Sequence, residues 1–297
     1  MSVVPPDPVV ADPRPAATVV VLRDSPTGPE ALMVRRHEGN VFMGGAHVFP
    51  GGRVDAADHN SGRSWCDGIA HAARQLGDLT VPEALAYHVA AARELFEEAG
   101  VLLARDGRGK FVSLDGPGAR DRFARDRTDV HDGATLRSVV EREGLRLALD
   151  GLILFAHWVT PPNETRQFDT RFFMTRVPPN QTPVHDDTET TDSVWLTPGA
   201  ALSQAVAGEI VLPPPTWTTL REIEPFTSVG QALAWARQRQ VARRMPRLVV
   251  ENDAQGERRM LVMPGDPLHP DAAGDEPPAE TRFEFIDRRW RPERPRT

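Results

Sequence analysis

Arg93-Glu94-Leu95-Phe96-Glu97-Glu98-Ala99-Gly100-Val101 sets three carboxylates on less than two turns of one helix. Counting about 100° per residue from Leu85, the apolar positions Leu85, Val89, Ala92, Leu95, Phe96 and Ala99 fall in one stripe. Glu94 and Glu98 lie opposite that stripe with Glu97 beside them, so the acids share a face. Carboxylates near a helix C-terminus meet the negative end of the peptide dipoles and are disfavoured by roughly 0.3–1 kcal/mol each. The like-charged i,i+4 pair Glu94 and Glu98 adds a few tenths more, so something cationic should offset the cluster. The solvated face of an ordinary amphipathic helix would give a similar run, and the flanking sequence has to decide between the two.

Upstream, Ala46-His47-Val48-Phe49-Pro50-Gly51-Gly52-Arg53-Val54-Asp55 joins a short hydrophobic segment to a Pro-Gly-Gly turn. Thr80-Val81-Pro82-Glu83 is a capping box with proline in the first turn. Gly100 supplies a left-handed cap at the other end. The spacing therefore predicts a helix from Val81 to Ala99.

Together these segments resemble the Nudix hydrolase signature: a glycine, a spaced glutamate, then Arg-Glu-hydrophobic-x-Glu-Glu-x-Gly-hydrophobic. The second half matches at every fixed position from Arg93 to Val101. The first half is interrupted, with Gly52 preceding Arg93 by 41 residues, roughly 27 more than in the unbroken signature. Asp58 stands at the spacing from Gly52 where the family has its first glutamate, and its part is left open by the sequence. An interrupted box after Phe49-Pro50-Gly51-Gly52-Arg53-Val54-Asp55-Ala56-Ala57-Asp58 is similar to the coenzyme A diphosphatase-like branch, which includes a mammalian peroxisomal member. Phe42 to Phe49, Phe168-Asp169-Thr170-Arg171-Phe172-Phe173 and Val194-Trp195-Leu196-Thr197-Pro198 extend the resemblance from about Ala17 to about Ala236. Val41 departs from that branch, standing where the second of two expected arginines belongs.

The resemblance implies an α/β fold, the Nudix α/β/α sandwich with a mixed central sheet, here carrying a helical insertion. It also implies hydrolysis of a diphosphate with Mg2+ or Mn2+. Hard divalent ions stabilise charge on the attacking water and the leaving phosphate, and carboxylate oxygens suit them. Glu94 and Glu98 are the first-choice ligands, with Glu97 and the Gly52 backbone carbonyl completing the set, and Arg93 orients a glutamate by a charge-assisted hydrogen bond. Glu189, six residues before Trp195, fits the family's general base, although Asp186, Asp187 and Asp192 crowd the same loop. Arg35, Arg36, His47, Arg166 and Arg171 are candidates for phosphate contacts, and His157 and Trp158 for the pocket border. The leading substrate is coenzyme A or acyl-coenzyme A. ADP-ribose, NADH or a nucleotide sugar presents the same linkage, and a Nudix-fold sensor without turnover is the alternative from another class.

Composition bounds these readings. The chain has 297 residues, 40% hydrophobic and 26% charged, as expected of a soluble globular protein with one catalytic domain. A net charge of −7 argues against a nucleic-acid surface and still allows a local basic pocket for a small phosphorylated ligand. Cys66 is the single cysteine, which rules out an intramolecular disulfide and suits a reducing compartment. No apolar run reaches the roughly 18 residues that span a bilayer, and the ending Arg294-Pro295-Arg296-Thr297 is not of the Ser-Lys-Leu type. The expectation is a cytoplasmic protein that binds no membrane; a homodimer is common among relatives of this type.

Along the chain, residues 1–16 read as a disordered proline-rich arm and 17–245 as the catalytic domain. Within it, 58–79 interrupts the box and 107–149 forms a helical cap with helices over Arg120 to Arg127 and Thr135 to Leu147. Strands are expected at Thr18 to Leu22, Glu30 to Arg35, Ala46 to Phe49, Leu152 to Thr160, Arg171 to Arg176 and Ser193 to Leu196. Helices are expected over Gly199 to Ala207 and Ser228 to Arg243, with Leu212 to Trp217 as a rigid loop. The remainder, 246–297, reads as a hairpin of Arg247 to Val250 with Arg258 to Met263, then a proline- and charge-rich tail in which Arg282 to Ile286 alternates like an edge strand.

Overall fold

The computed structural model of the chain describes residues 2–3, 12–37, 44–162, 164–185, 190–253, 256–271, 280–287 and 289–293. At its centre is β1 (Arg14–Ser25), whose stretch from Ala16 to Leu22 is almost continuously buried. A strand alternates its side chains between two faces, so such a run requires cover on both. Val19 and Val21 join a core with Leu95 and Ala91, whereas Val20 and Leu22 join one with Trp217 and Ala232. These are the two filled layers of a sandwich.

A tight turn joins β1 to β2 (Gly28–Arg36) as an antiparallel hairpin. Beyond β2, the two-residue β3 (His47–Val48) leads to β4 (Gly51–Arg53), which pairs with the first half of β1 at Ala16 to Thr18. On the other side β1 runs parallel to β6 (Phe168–Arg176), which is antiparallel to β5 (Ile153–Val159). β7 (Thr190–Leu196) lies antiparallel against β2, and Arg243–Arg244 closes the far edge parallel to β5. The sheet is therefore mixed. Pairing with Phe168 to Thr170 carries β1 back to Arg14, inside the stretch expected to be an arm.

Two helices precede the cap: α1 (Ile69–Gln75) and α2 (Val81–Ala99). The span of α2 and both its ends match expectation, with the Thr80/Glu83 capping box formed and Gly100 at φ 65°. Far from having a solvated side, α2 buries 15 of its residues, because the cap covers the face that the sheet does not. In the cap, α3 (Ala119–His131) and α4 (Leu136–Arg142) share a core with Trp65, Cys66 and Ala72 of the box insertion. Cys66–Asp67, Arg146–Ala148 and Ala104–Arg105 form a small three-stranded sheet between them. The two insertions are thus one packed unit against Leu85, Val89, Ala92 and Phe96 of α2.

Four expectations need correction. The helix read over Thr135 to Leu147 stops at Arg142, since Gly144 turns the chain at φ 65° and Arg146–Ala148 joins the small sheet. Leu212 to Trp217 is not all loop: after α5 (Pro198–Ala207), α6 (Pro214–Ile223) starts within it, its prolines occupying the first turn, where no N–H is needed. The next helix, α7 (Val229–Gln238), ends before Arg243, because Arg239 is extended and Arg243–Arg244 is claimed by β5. Finally, Arg282 to Ile286 is an interior strand. In the sheet of β8 (Arg247–Asp253), β9 (Gly256–Val262), β10 (Arg282–Ile286) and β11 (Arg289–Glu293), β10 lies between β9 and β11. Ser2–Val3 pairs with β8, while residues 4–11, 272–279 and 294–297 of the expected arm and tail lie outside the described residues. Among the described residues no helix is long and apolar enough to cross a membrane.

Candidate active site

The Pro-Gly-Gly turn brings backbone directly against the acid end of α2. The Gly51 N–H donates to Glu98 Oε2 at 2.9 Å. A Cβ on Gly52 would stand 2.4 Å from Glu94 Oε1, so the carboxylate fills the space that any side chain at 52 would need. Glu94 and Glu98 are only 9% and 8% exposed, which removes the solvated-face reading of the cluster.

Arg93 ties the interrupted box together. Its Nε and Nη2 donate to the two oxygens of Asp58 at 3.0 Å each. Nη1 donates to Glu94 Oε1 at 2.9 Å and to Glu97 Oε2 at 2.8 Å, and Nη2 also reaches the Arg53 carbonyl at 2.8 Å. Asp58 in turn accepts the Asp55 N–H at 2.8 Å, closing the short helical turn Ala56–His59. Its place is behind Arg93, gripping it in a two-point ion pair. Burial on its own would lower the Arg93 pKa, but its hydrogen bonds to Asp58 and the charges of Glu94, Asp58 and Glu97 raise it instead. The guanidinium is therefore a fixed charge that neutralises and spaces the acids.

A second cation meets the helix end. Arg127 of α3 donates from Nε to the Glu97 carbonyl at 2.8 Å and from Nη1 to the His185 carbonyl at 3.3 Å. The Val184 N–H donates to the Ala99 carbonyl at 3.0 Å. These satisfy carbonyls that a helix C-terminus leaves without internal partners, and the positive charge opposes the dipole that disfavours the acids. Sequence reasoning asked for a cation here but could not single out Arg127, whose only signal is its residue type.

The acid face opens into a broad cleft. Glu94, Glu97 and Glu98 line it together with Trp158, Phe168 and the cations Arg14, Arg36, Arg53, Arg166, Arg259 and Arg289. Leu248, Leu261, Phe285 and Trp290 of the C-terminal sheet complete the lining. Arg36 and Arg166 are among the residues that line this cleft. Arg35 sits beside His47 and Asp192 in the sheet. His47 is buried, and burial followed by the charge of Arg35 lowers its pKa, favouring the neutral imidazole. Arg171 is placed elsewhere: it donates to Asp78 Oδ2 at 2.7 Å, beside the His157–Asp169 pair at 2.8 Å. Trp158 lines the cleft with the Arg244 guanidinium 5.4 Å over its ring. Glu189, Asp186 and Asp187 lie outside the described residues. Cys66 is buried, and burial pushes its thiol up to about 11, which leaves it unreactive.

The family model described as the NUDT19 Nudix domain matches residues 66–223. The chain belongs to the Nudix hydrolases. Human acyl-coenzyme A diphosphatase NUDT19 is 30% identical to it over 310 residues, covering 86% of this chain and 76% of the human protein. The chicken protein of the same name is 30% identical over 293 residues, covering 83% and 75%. A Nudix hydrolase crystal structure from Alicyclobacillus acidocaldarius aligns with a TM-score of 0.61 at 28% identity, over 76% of this chain and 97% of that one. As in the Nudix signature, the Arg93-to-Val101 block supplies the acids, and here they meet a glycine turn brought back across an inserted subdomain.

Proposed function

We propose that this Nudix hydrolase cleaves the diphosphate of coenzyme A or an acyl-coenzyme A, giving adenosine 3′,5′-bisphosphate and 4′-(acyl)phosphopantetheine. The observation that carries the reading is the buried acid face of Glu94 and Glu98 against Gly51 and Gly52, opening on an arginine-lined cleft. Its likeness to acyl-coenzyme A diphosphatases directs the choice of substrate.

Among the described residues no three acidic, histidine or cysteine groups converge into a ready-made metal cage. Arg93 holds one oxygen of Glu94 and one of Glu97, and these carboxylates and Glu98 present hard oxygens beside the glycine backbone. Mg2+ or Mn2+ would be held by Glu94, Glu98 and the Gly52 carbonyl, with Glu97 as a further donor, and would supply charge stabilisation at the phosphates and a more acidic water. Arg93 holds the acids in register, and Glu189 takes the proton of the attacking water. Arg36 and Arg166 hold non-bridging oxygens, and the apolar part of the cleft takes the remainder of the substrate. Arg35 and His47 support that wall from behind, and Arg171 stabilises the strand bearing Phe168. A cytoplasmic setting accords with the one unpaired cysteine.

The test is product analysis by mass spectrometry after incubation with Mg2+ and a mixture of coenzyme A, short and long acyl-coenzyme A, ADP-ribose and NADH. Adenosine 3′,5′-bisphosphate formed by the parent protein and not by Glu98→Gln is the expected result. AMP from ADP-ribose or NADH alone would overturn the substrate and keep the chemistry. No product from any of them would favour a binding module.

A further inference from the structure

Among the described residues, the cap reaches the active cleft through one, His131. Arg127 is fastened to the Glu97 carbonyl, and His131 lies one turn further along α3. Residues four apart on a helix stand on the same face, so the anchor that brings Arg127 to the acid helix carries His131 with it. His131 lines the cleft together with Glu94, Glu97 and Glu98, and among the described residues it alone does so from the cap. Phe123 and Val130 of the same helix pack into the core of the cap. The His131 side chain is exposed, unlike the buried His47 and His88.

We propose that His131 is a substrate-contacting residue, its ring N–H donating to a non-bridging oxygen of the bound diphosphate, and that Arg127 is the positioning residue that sets it there. An imidazole offers an N–H in either tautomer and in its charged form. A hydrogen bond to a phosphate oxygen is among the stronger kinds because the acceptor is charged. The inserted subdomain then serves binding as well as packing, and its removal would strip a ligand contact from the site. This rests on the diphosphate reading given above.

The experiment is calorimetric titration of the full chain with α,β-methylene-ADP and Mg2+, a diphosphate mimic that cannot be cleaved at the bridge. His131→Ala is expected to weaken binding about tenfold with an unchanged melting temperature. His131→Asn, which keeps an N–H donor, should recover part of the loss, and Arg125→Ala, exposed on another side of α3, should match the parent. Arg127→Lys should weaken binding by an intermediate factor and add nothing further to His131→Ala, since both act on one contact. Binding by His131→Ala within twofold of the parent would overturn the histidine contact, and additive losses in the double variant would overturn the role of Arg127. A parent protein that does not bind the mimic would count instead against the diphosphate reading, which separates the two failures.

Discussion

Replacing Asp58 with alanine should unseat Arg93. The substitution removes two hydrogen bonds of 3.0 Å to the guanidinium and the acceptor of the Asp55 N–H. Asp58 is 2% and Arg93 8% exposed, so water has little room to replace the lost partner. Breaking a buried ion pair on one side costs about 3–5 kcal/mol. Arg93 keeps Glu94, Glu97 and the Arg53 carbonyl, which puts the expected loss at the lower end, about 3 kcal/mol. At roughly 2–4 °C per kcal/mol for a domain of this size, the melting temperature should fall by about 6–12 °C. Glu94 and Glu97 lose the rigid mount of their shared guanidinium, and a displacement near 1 Å in such a site lowers rates by about a hundredfold. Thermal and urea unfolding, together with initial rates on coenzyme A, measure both effects. Asp58→Asn should fall between parent and alanine, because its amide nitrogen would face an Arg93 N–H with no acceptor to offer. A variant Asp58→Ala that loses less than about 1 kcal/mol and keeps its rate within threefold would show that Arg93 is held by the helix acids alone.

The adjacent glycines should fail differently. In Gly52→Ala the new methyl meets the carboxylate end of the Glu94 side chain, whereas in Gly51→Ala it stands 2.4 Å from the Ala17 carbonyl oxygen. Gly52→Ala should therefore lose most of its activity with little change in melting, and Gly51→Ala should lose stability; equal melting of the two would refute the distinction. Glu98→Gln can keep the Gly51 N–H bond through its amide oxygen, so it should fold normally and bind Mn2+ at least tenfold more weakly in a paramagnetic titration. Unchanged Mn2+ affinity would remove Glu98 from the ligand set. Burial lowers the His88 pKa to about 4 from its ordinary 6.5, so the unfolded chain takes up that proton first as pH falls. Its contribution is complete above about pH 6.5 and is lost between 6.5 and 4, amounting to about 3 kcal/mol at roughly 1.4 kcal/mol per unit. His88→Gln should flatten the dependence of urea midpoint on pH in that window, and an unaltered slope would contradict the assignment.

Local signals carried the acid helix: Thr80, Pro82, Glu83 and Gly100 are contiguous with it and fix its ends without help from elsewhere. The hairpin of β1 and β2 was legible for the same reason. Asp58 was legible only as a spacing, since its bond to Arg93 crosses 35 residues and the intervening subdomain. Arg127 and Arg171 look alike in sequence, but one reaches a helix end and the other is paired with Asp78; tertiary placement, not residue type, separates them. Proline misled at Leu212 to Trp217, because a string that breaks a helix interior is well suited to starting one. Gly144 was the missed stop in the cap, where apolar periodicity continued past the turn into a strand.

The C-terminal sheet gives the cleft a division of labour. The acids and their arginine sit on α2 beside the glycine turn, while Leu248, Arg259, Leu261, Phe285, Arg289 and Trp290 line the same cleft from the C-terminal sheet. Phe285 and Trp290 brace each other at 5.0 Å, and Arg289 is tied to the Gly208 carbonyl at 3.1 Å. Substitutions there would reshape the cleft without touching Arg93, Glu94, Glu97 or Glu98. The lining of the cleft can therefore change on this sheet while the acid block and the glycine turn stay as they are.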